Sequence, residues 1–415
     1  MKIILLFNLF PEDQKEAILS NIKTEVQNAT LAFETTLLNG LINNIDNVEL
    51  VNVPILGYYP TQYKKMFLKH SPFYYKGKNM GVNVGICNLF IYKQWSLYIN
   101  LRKELKKILK ANPNEEIVFL HLNYNSSFLK ALTYIKKRFS NVKIISIVGD
   151  LPQNREIFGK FIFLKKILHK INMQTIYKCL KYIDGYILVS KYMRDKLFYA
   201  NNNNSIILEC AYDTSNENKN DYIKQDLDNK KFKDILYSGK ITERFGLMKL
   251  VEAFKMLQNN NYRLIICGSG PAESAIKEIA KMDNRIIFKG NIDRKEVIFL
   301  QRKADLLVNP RTPEGEYTRY SFPSKTMEYL ASGTPTLLYK LSGIPEEYYN
   351  YCFSLNEDDG VDILAKTINN ILCKDKSNLD EIAYKARQFI LNEKSHDVQG
   401  KRIVEFITYI NKLPV

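Results

Sequence analysis

The stretch Asn309-Pro310-Arg311, followed by Glu316-Tyr317-Thr318-Arg319-Tyr320-Ser321-Phe322-Pro323-Ser324-Lys325-Thr326-Met327-Glu328-Tyr329-Leu330-Ala331-Ser332-Gly333-Thr334-Pro335, decides the reading of the whole chain. It comes after the apolar run Asp305–Val308 and reads as a strand end, a loop and a short helix. Pro323 suits the first helical position, Ser321 or Phe322 the cap, and Gly333 the C′ position with Pro335 just beyond. A helix framed in this way turns free N–H groups and the positive end of its dipole toward a ligand, and Lys325 adds a full charge. These are the elements of a phosphate site. Glu328, one turn deeper, is an acceptor placed for a pair of hydroxyls such as a ribose diol. Taken alone, the same residues also describe an ordinary capped surface helix.

Apolar runs separated by helical stretches continue in both directions. Downstream of Ile235–Tyr237 the runs are Tyr262–Cys267, Ile286–Lys289, Asp305–Val308, Thr336–Tyr339 and Cys352–Leu355; upstream they are Lys2–Phe10, Val48–Val53, Ile117–Leu122, Lys143–Val148 and Tyr186–Val189. Continuous apolar strands with helices between them indicate parallel sheets covered on both faces. The expected fold is therefore α/β, with two Rossmann-like units across a central cleft, one over 1–215 and one over 216–395. A polar stretch from Thr214 to Asp228 reads as the linker. A last helix over 396–415, with Ile403, Phe406, Ile407 and Ile410 at helical spacing, is expected to pack back across the junction.

Composition narrows the function. The 415 residues are 46% hydrophobic and 25% charged, with a net charge of +16, which excludes disordered and fibrous classes. The charge is uneven: residues 51–200 hold 26 Lys/Arg against 7 Asp/Glu, whereas 216–415 hold 31 against 28. This reads either as the Lys-rich surface common in chains also rich in Asn and Ile, or as the mark of an anionic partner, a phosphate-bearing substrate or an acidic membrane face. The six cysteines and four histidines show no metal-ligand or disulfide spacing, so no metal or disulfide framework is expected. The apolar N-terminus meets Pro11-Glu12-Asp13 and reads as a buried strand, and no apolar run approaches the ~20 residues of a membrane span. The expected location is the cytoplasm, peripheral at the inner face of the plasma membrane.

Further motifs flank the opening stretch in order: Tyr237-Ser238-Gly239-Lys240, Arg244-Phe245-Gly246, Ile266-Cys267-Gly268-Ser269-Gly270-Pro271, Phe288-Lys289-Gly290 and Ser342-Gly343-Ile344-Pro345-Glu346. Together they resemble the retaining group 1 glycosyltransferases, the family 4 enzymes of the GT-B fold, over roughly residues 230–360. The Tyr-Ser-Phe-Pro-Ser-Lys wording resembles a branch found in bacterial surface-polysaccharide loci. The resemblance implies a hexosyltransferase that needs no cofactor or metal and uses a UDP- or GDP-linked sugar. Its acceptor would be lipid-linked or polysaccharide. It also implies that Lys240, Arg244 and Lys325 meet the donor diphosphate, that Glu328 holds the ribose, and that Phe288 and Gly290 sit at the base. Glu316, Tyr320, Ser321, Phe322, Pro323 and Ser324 would line the sugar. Two departures stand out: Tyr320 occupies the place of the first acid in the family's Glu-x7-Glu pattern, and Phe245 replaces the lysine before the glycine of the first phosphate turn.

In the first half, His121 and Asp150 close strand runs and are the catalytic candidates: the resemblance implies His121 near the sugar, and Asp150 reads as a carboxylate that orients or deprotonates an acceptor hydroxyl or, alternatively, caps the next turn. His121 also reads as a satisfied histidine under a loop, and Ser190-Lys191 as a helix cap. Two basic runs with interleaved aromatics, Tyr63 to Lys78 and Arg155 to Lys181, suit an anionic membrane interface, and nothing in them indicates nucleic acid. The alternative function is a catalytically inactive GT-B subunit that binds glycan or a partner enzyme. A dinucleotide-dependent oxidoreductase is disfavoured, because no GxGxxG opens either array.

Overall fold

A computed structural model of the chain describes residues 1–24, 26–151, 162–215, 217 and 230–413. The chain divides into two compact units, Met1–Ala211 with His396–Val415 and Tyr212–Ser395.

The first unit contains strands β1 (Lys2–Leu6), β2 (Val48–Asn52), β3 (Phe67–Leu68), β4 (Ser71–Tyr75), β5 (Lys78–Asn83), β6 (Ile86–Cys87), β7 (Ile117–Leu122), β8 (Val142–Val148), β9 (Gly185–Leu188) and β10 (Ser205–Ile207). Eight of them form one sheet in the order β10-β9-β8-β7-β1-β2-β5-β4, parallel throughout except for the β4–β5 hairpin at one edge. Every residue of β7 and β8 is buried, which is why these strands read as mainly apolar runs. The helices are α1 (Lys15–Leu19), α2 (Asn28–Asn44), α3 (Tyr92–Ala111), α4 (Ser126–Lys136) and α5 (Ile162–Leu180). The β4–β5 hairpin lies where the sequence suggests a basic surface loop. Lys76 and Gly77 at its tip both have positive φ, the requirement of a tight two-residue hairpin turn.

The second unit contains β11 (Lys233–Ser238), β12 (Tyr262–Cys267), β13 (Ile286–Gly290), β14 (Leu306–Asn309), β15 (Thr336–Tyr339) and β16 (Phe353–Leu355), with α6 (Leu247–Met256), α7 (Glu273–Met282), α8 (Arg294–Lys303), α9 (Lys325–Ser332), α10 (Val361–Leu372) and α11 (Lys376–Glu393). Its sheet is wholly parallel in the order β13-β12-β11-β14-β15-β16. Counted from its own first strand this is 3-2-1-4-5-6, the doubly wound order, and the winding reverses between β11 and β14. Ligands of such sheets bind beyond the carboxyl ends of the two strands at that reversal.

The last helix, α12 (His396–Lys412), returns to the first unit and lies against α2. Ile403, Phe406, Ile407 and Ile410 join the core formed by β1, β7, β8 and β9. Two glycines let the helices meet: a Cβ on Gly40 would stand 2.2 Å from the His396 carbonyl oxygen, and one on Gly400 would stand 2.2 Å from that of Gly40. The sequence pattern placed α12, whereas this backbone contact is visible only in the packing. Most of the stretch read as a linker, and residues 155–161 of the second basic run, lie outside the described residues.

Candidate functional site

β11 and β14, the strands flanking the reversal, end in Ser238-Gly239-Lys240 and Asn309-Pro310-Arg311. Backbone contacts hold the neighbouring loops together. Gly239 N–H donates to the Cys267 carbonyl (3.0 Å), Ile241 N–H to that of Ser269 (2.9 Å) and Gly268 N–H to that of Gly290 (2.8 Å). Gly268, at φ 138°, has the Gly239 carbonyl 1.8 Å from where a Cβ would be, so only glycine fits there. Lys240 emerges from this layer exposed, with no ion-pair partner among the described residues. Its carbonyl accepts from the Tyr237 hydroxyl at 2.8 Å.

α9 begins at Lys325 with Ser324 at the cap, and Pro323 precedes it. The expected start, with Pro323 inside the helix and Ser321 or Phe322 as cap, is therefore corrected toward the C-terminus. Thr326 N–H bonds the Pro323 carbonyl at 2.8 Å, a tight first turn that Pro323 initiates without being part of the helix. Gly333 ends the helix in the left-handed region, at φ 72°.

A hydrogen-bond chain runs from the amino end of α9 to the end of β11. Lys325 Nζ donates to Glu328 Oε1 (2.8 Å), and Gln301 Nε2 donates both to Glu328 Oε1 (2.6 Å) and to Ser238 Oγ (2.9 Å). The Tyr329 hydroxyl accepts from Ser238 N–H at 2.8 Å and donates to the Ser238 carbonyl at 3.2 Å. Burial works to raise the Glu328 carboxyl, but the Lys325 ammonium, the Gln301 amide and nearby Arg294 outweigh it and hold the group below its usual range. Glu328 is thus a carboxylate in a half-buried setting, with its Oε1 engaged by Lys325 and Gln301. Gln301 and Arg294 lie in no sequence motif, and Tyr329, inside the stretch from Asn309 to Pro335, has no role that the sequence marks. Gln301 sits in the charged run Arg294–Lys303, and only the packing of α8 brings it to Glu328.

Arginines and aromatic rings organise the loop between β14 and α9. Arg244 stacks on the Tyr317 ring (3.9 Å to the centroid), and Arg311 lies over both Tyr317 (4.9 Å) and Phe245 (5.3 Å). Arg311 also donates to Ser321 Oγ at 2.9 Å. Phe245, where the resemblance calls for lysine, therefore serves as a platform for a guanidinium. Tyr320 is buried, and its hydroxyl donates to Glu316 Oε1 at 2.9 Å, so a carboxylate stands beside the position that lacks its acid. Glu314 instead pairs with Lys249 at the surface. The loop after β15 presses on the same segment, since a Cβ at Gly343 would stand 2.1 Å from the Ser321 carbonyl oxygen. Phe322 is half-buried against Tyr348, with ring centroids 5.3 Å apart, and Pro323 is buried.

Phe288 lies on β13 with the Lys277 ammonium 5.8 Å from its ring centroid. Gly290 ends that strand at φ 68° beside open space, so conformation rather than crowding selects glycine there.

The candidates of the first unit are held differently. The His121 ring is fully buried between Asn123 and Ser146. Because the Asn123 carbonyl, 3.0 Å from Nδ1, can only accept, Nδ1 carries the proton and Nε2 accepts from the Ser146 hydroxyl at 2.5 Å. Burial lowers its pKa to about 4, so the imidazole is neutral and enclosed. Asn123, at φ 53°, uses its side-chain oxygen to accept from Gly149 N–H (3.0 Å) and Asp150 N–H (3.3 Å), which leaves the Asp150 carboxylate exposed at the end of β8. Asn125 caps α4, and Ser190 caps the turn Lys191–Lys196. In the run Tyr63 to Lys78, Tyr63 and Phe73 are core residues, and Phe67 and Tyr74 are the exposed aromatics. Among the described residues no helix is long and apolar enough to cross a membrane.

The two parallel sheets and the likeness to solved structures show that the chain has the GT-B fold. It is similar over 98% of both chains to a sucrose-phosphate synthase from Thermosynechococcus elongatus (14% identity, TM-score 0.64). A glycosyltransferase from Rickettsia africae is similar over 100% of this chain and 99% of its own (14%, 0.65). Anabaena HepE in complex with UDP is similar over 98% and 100% (14%, 0.58). Residues 218–404, just under half of the chain, match the family model for glycosyl transferases group 1. No curated protein matches the chain.

Proposed function

We propose that the protein is a retaining hexosyltransferase of bacterial cell-surface glycan synthesis. It moves a sugar from a UDP- or GDP-linked donor to a lipid-linked or polysaccharide acceptor at the cytoplasmic membrane face. The observation that carries this reading is the Lys325–Glu328–Gln301–Ser238 chain at the strand reversal, inside the region that matches the family model. Lys240, Arg244, Lys325 and the first N–H groups of α9 meet the diphosphate, and the Glu328 carboxylate accepts from the ribose hydroxyls. Phe288 and Gly290 border the base. Ser321 to Ser324, with Glu316 held by Tyr320, border the sugar.

In the reaction the bond from the anomeric carbon to the diphosphate oxygen breaks, and the acceptor oxygen bonds to that carbon on the same face. The acceptor proton passes to the exposed Asp150 carboxylate. The cationic side chains stabilise the charge that develops on the leaving diphosphate, so no metal is needed for that purpose. His121 contributes by position, because its ring anchors the Asn123 turn that orients Asp150.

Calorimetric titration with UDP, GDP and their hexose conjugates, without metal, tests the donor site. Tight binding of one nucleotide that Glu328→Ala loses is expected. Tyr320 and Phe245 favour a second reading, a non-catalytic glycan- or partner-binding subunit, and absence of binding to every nucleotide would establish it.

A further inference from the structure

Three helices of the first unit present an unusual surface. α3, α4 and α5 together hold twelve Lys/Arg and one acidic residue, Glu104. That glutamate is engaged by His70 and Lys107. One end of this layer carries a group of exposed apolar residues. Ile91, at the cap of α3, is 70% exposed, and Tyr92 and Trp95 in its first turn are 58% and 63% exposed; Ile91 and Trp95, four residues apart, share a helix face. On α5, Ile167 and Ile171 have the same spacing and are 42% and 51% exposed.

The two groups meet at the amino end of α4. Ser127 Oγ donates to the Gln94 side chain (2.7 Å), next to Trp95, and Ser126 Oγ donates to Asn172 (3.0 Å), next to Ile171. Because α4 follows directly from β7, this end lies at the carboxyl ends of the strands, where Asp150 is also exposed. Lys166 and Lys170 are exposed beside the isoleucines.

Exposed aliphatic side chains gain nothing from water or from a phosphate backbone. They do gain from the headgroup–acyl boundary of a bilayer, to which surrounding cations are drawn by anionic lipid. We propose that Ile91, Tyr92 and Trp95 of α3, with Ile167 and Ile171 of α5, insert into the interface of an anionic bilayer and hold the strand ends of the first unit at the membrane. The proposal rests on the membrane part of the reading above and names the residues that carry it.

Trp95 is the single tryptophan of the chain and reports directly. The intact protein is mixed with phosphatidylglycerol-containing vesicles and, separately, with pure phosphatidylcholine vesicles, without nucleotide or acceptor. The expected result is a blue shift of Trp95 emission and quenching by brominated lipid with the anionic vesicles only. Ile167→Ser/Ile171→Ser should lower the vesicle partition coefficient about tenfold or more at unchanged circular dichroism, as befits two surface positions. Lys166→Glu/Lys170→Glu should weaken the preference for anionic lipid. Three outcomes would overturn the proposal: vesicle binding with unchanged Trp95 emission, unchanged partition of the isoleucine variant, or a Trp95 response to an RNA oligonucleotide but not to vesicles. Because no nucleotide is present, failure here leaves the donor-site reading standing, and loss of nucleotide binding would leave this one standing.

Discussion

The strand ends of the two units are finished in opposite ways. In the second unit β11 ends in a glycine layer from which Lys240 protrudes, with Lys325 and Glu328 paired nearby at the surface of the site. In the first unit His121, next to the last residue of β7, is sealed between Ser146 and Asn123, and the turn after β1 is sealed as well. There the buried Glu34 carboxyl accepts from Asn8 N–H (2.7 Å) and Asn8 Nδ2 (2.9 Å), and Asn52 bonds Leu9 through both N–H and carbonyl. One site keeps charge available at the surface, and the other spends its polar groups on fixing loops. That contrast follows from the proposed reaction, because a diphosphate is bound by fixed cations and N–H groups, whereas an acceptor hydroxyl needs only a well-placed base.

The largest expected effects are on stability and lie in the first unit. His121 falls from an ordinary 6.5 to about 4 because burial disfavours the imidazolium. Its contribution is therefore complete above pH 6.5 and is lost as pH falls toward 4, by roughly 3 kcal/mol. Glu34 is raised from 4.5 to about 7 by burial, against the Asn8 hydrogen bonds. Its contribution is complete below pH 4.5 and is lost as pH rises through about 7, by a similar ~3 kcal/mol. Denaturant unfolding across this range should show both limbs, with Glu34→Gln flattening the alkaline one. A stability curve with neither limb would break the contrast, because these groups would then not be sealed.

Next in size is the donor site. Glu328→Ala and Lys325→Ala should each weaken nucleotide binding by roughly 1–3 kcal/mol in calorimetry while leaving the unfolding transition nearly in place. Equal losses of stability would make these residues structural and erase the difference between the units. Lys240→Ala should cost about 1 kcal/mol of binding, an effect that shrinks as salt is raised, because this ammonium is exposed and screened. A change of similar size is expected for Tyr320→Phe, which removes the hydroxyl that holds Glu316. Roughly 0.5–1.5 kcal/mol should be lost from donor-sugar binding and little from binding of the bare nucleotide. Equal effects on the two ligands would remove Tyr320 and Glu316 from the sugar site.

Much of this was legible beforehand because its signals are local. Apolar runs marked the parallel strands, and the wording from Asn309 to Pro335 marked a helix amino terminus with Lys325 and Glu328 on its first turns. The miss of two residues at its start reflects Pro323, which shapes the turn before the helix as readily as the helix itself. Gln301 and Tyr329 were not legible, since their roles arise from side chains of α8 and α9 meeting the end of β11. Tyr63 and Phe73, read as surface aromatics, are core residues because Tyr63 bridges Ile22 and the β4–β5 hairpin joins the large sheet through β2, pairings between distant segments with no local mark.

By itself, then, the sequence determined the sheet type, the order of the motifs, the excess positive charge of the first half, and the place where a helix dipole and two charges gather, since each depends on residues close in the chain. Only the tertiary structure decided that His121 is a neutral, enclosed ring, that Glu328 stays ionised, and that isoleucines of two helices share one exposed end. Protonation and exposure depend on everything packed around a group, and for these residues the neighbours come from distant parts of the chain.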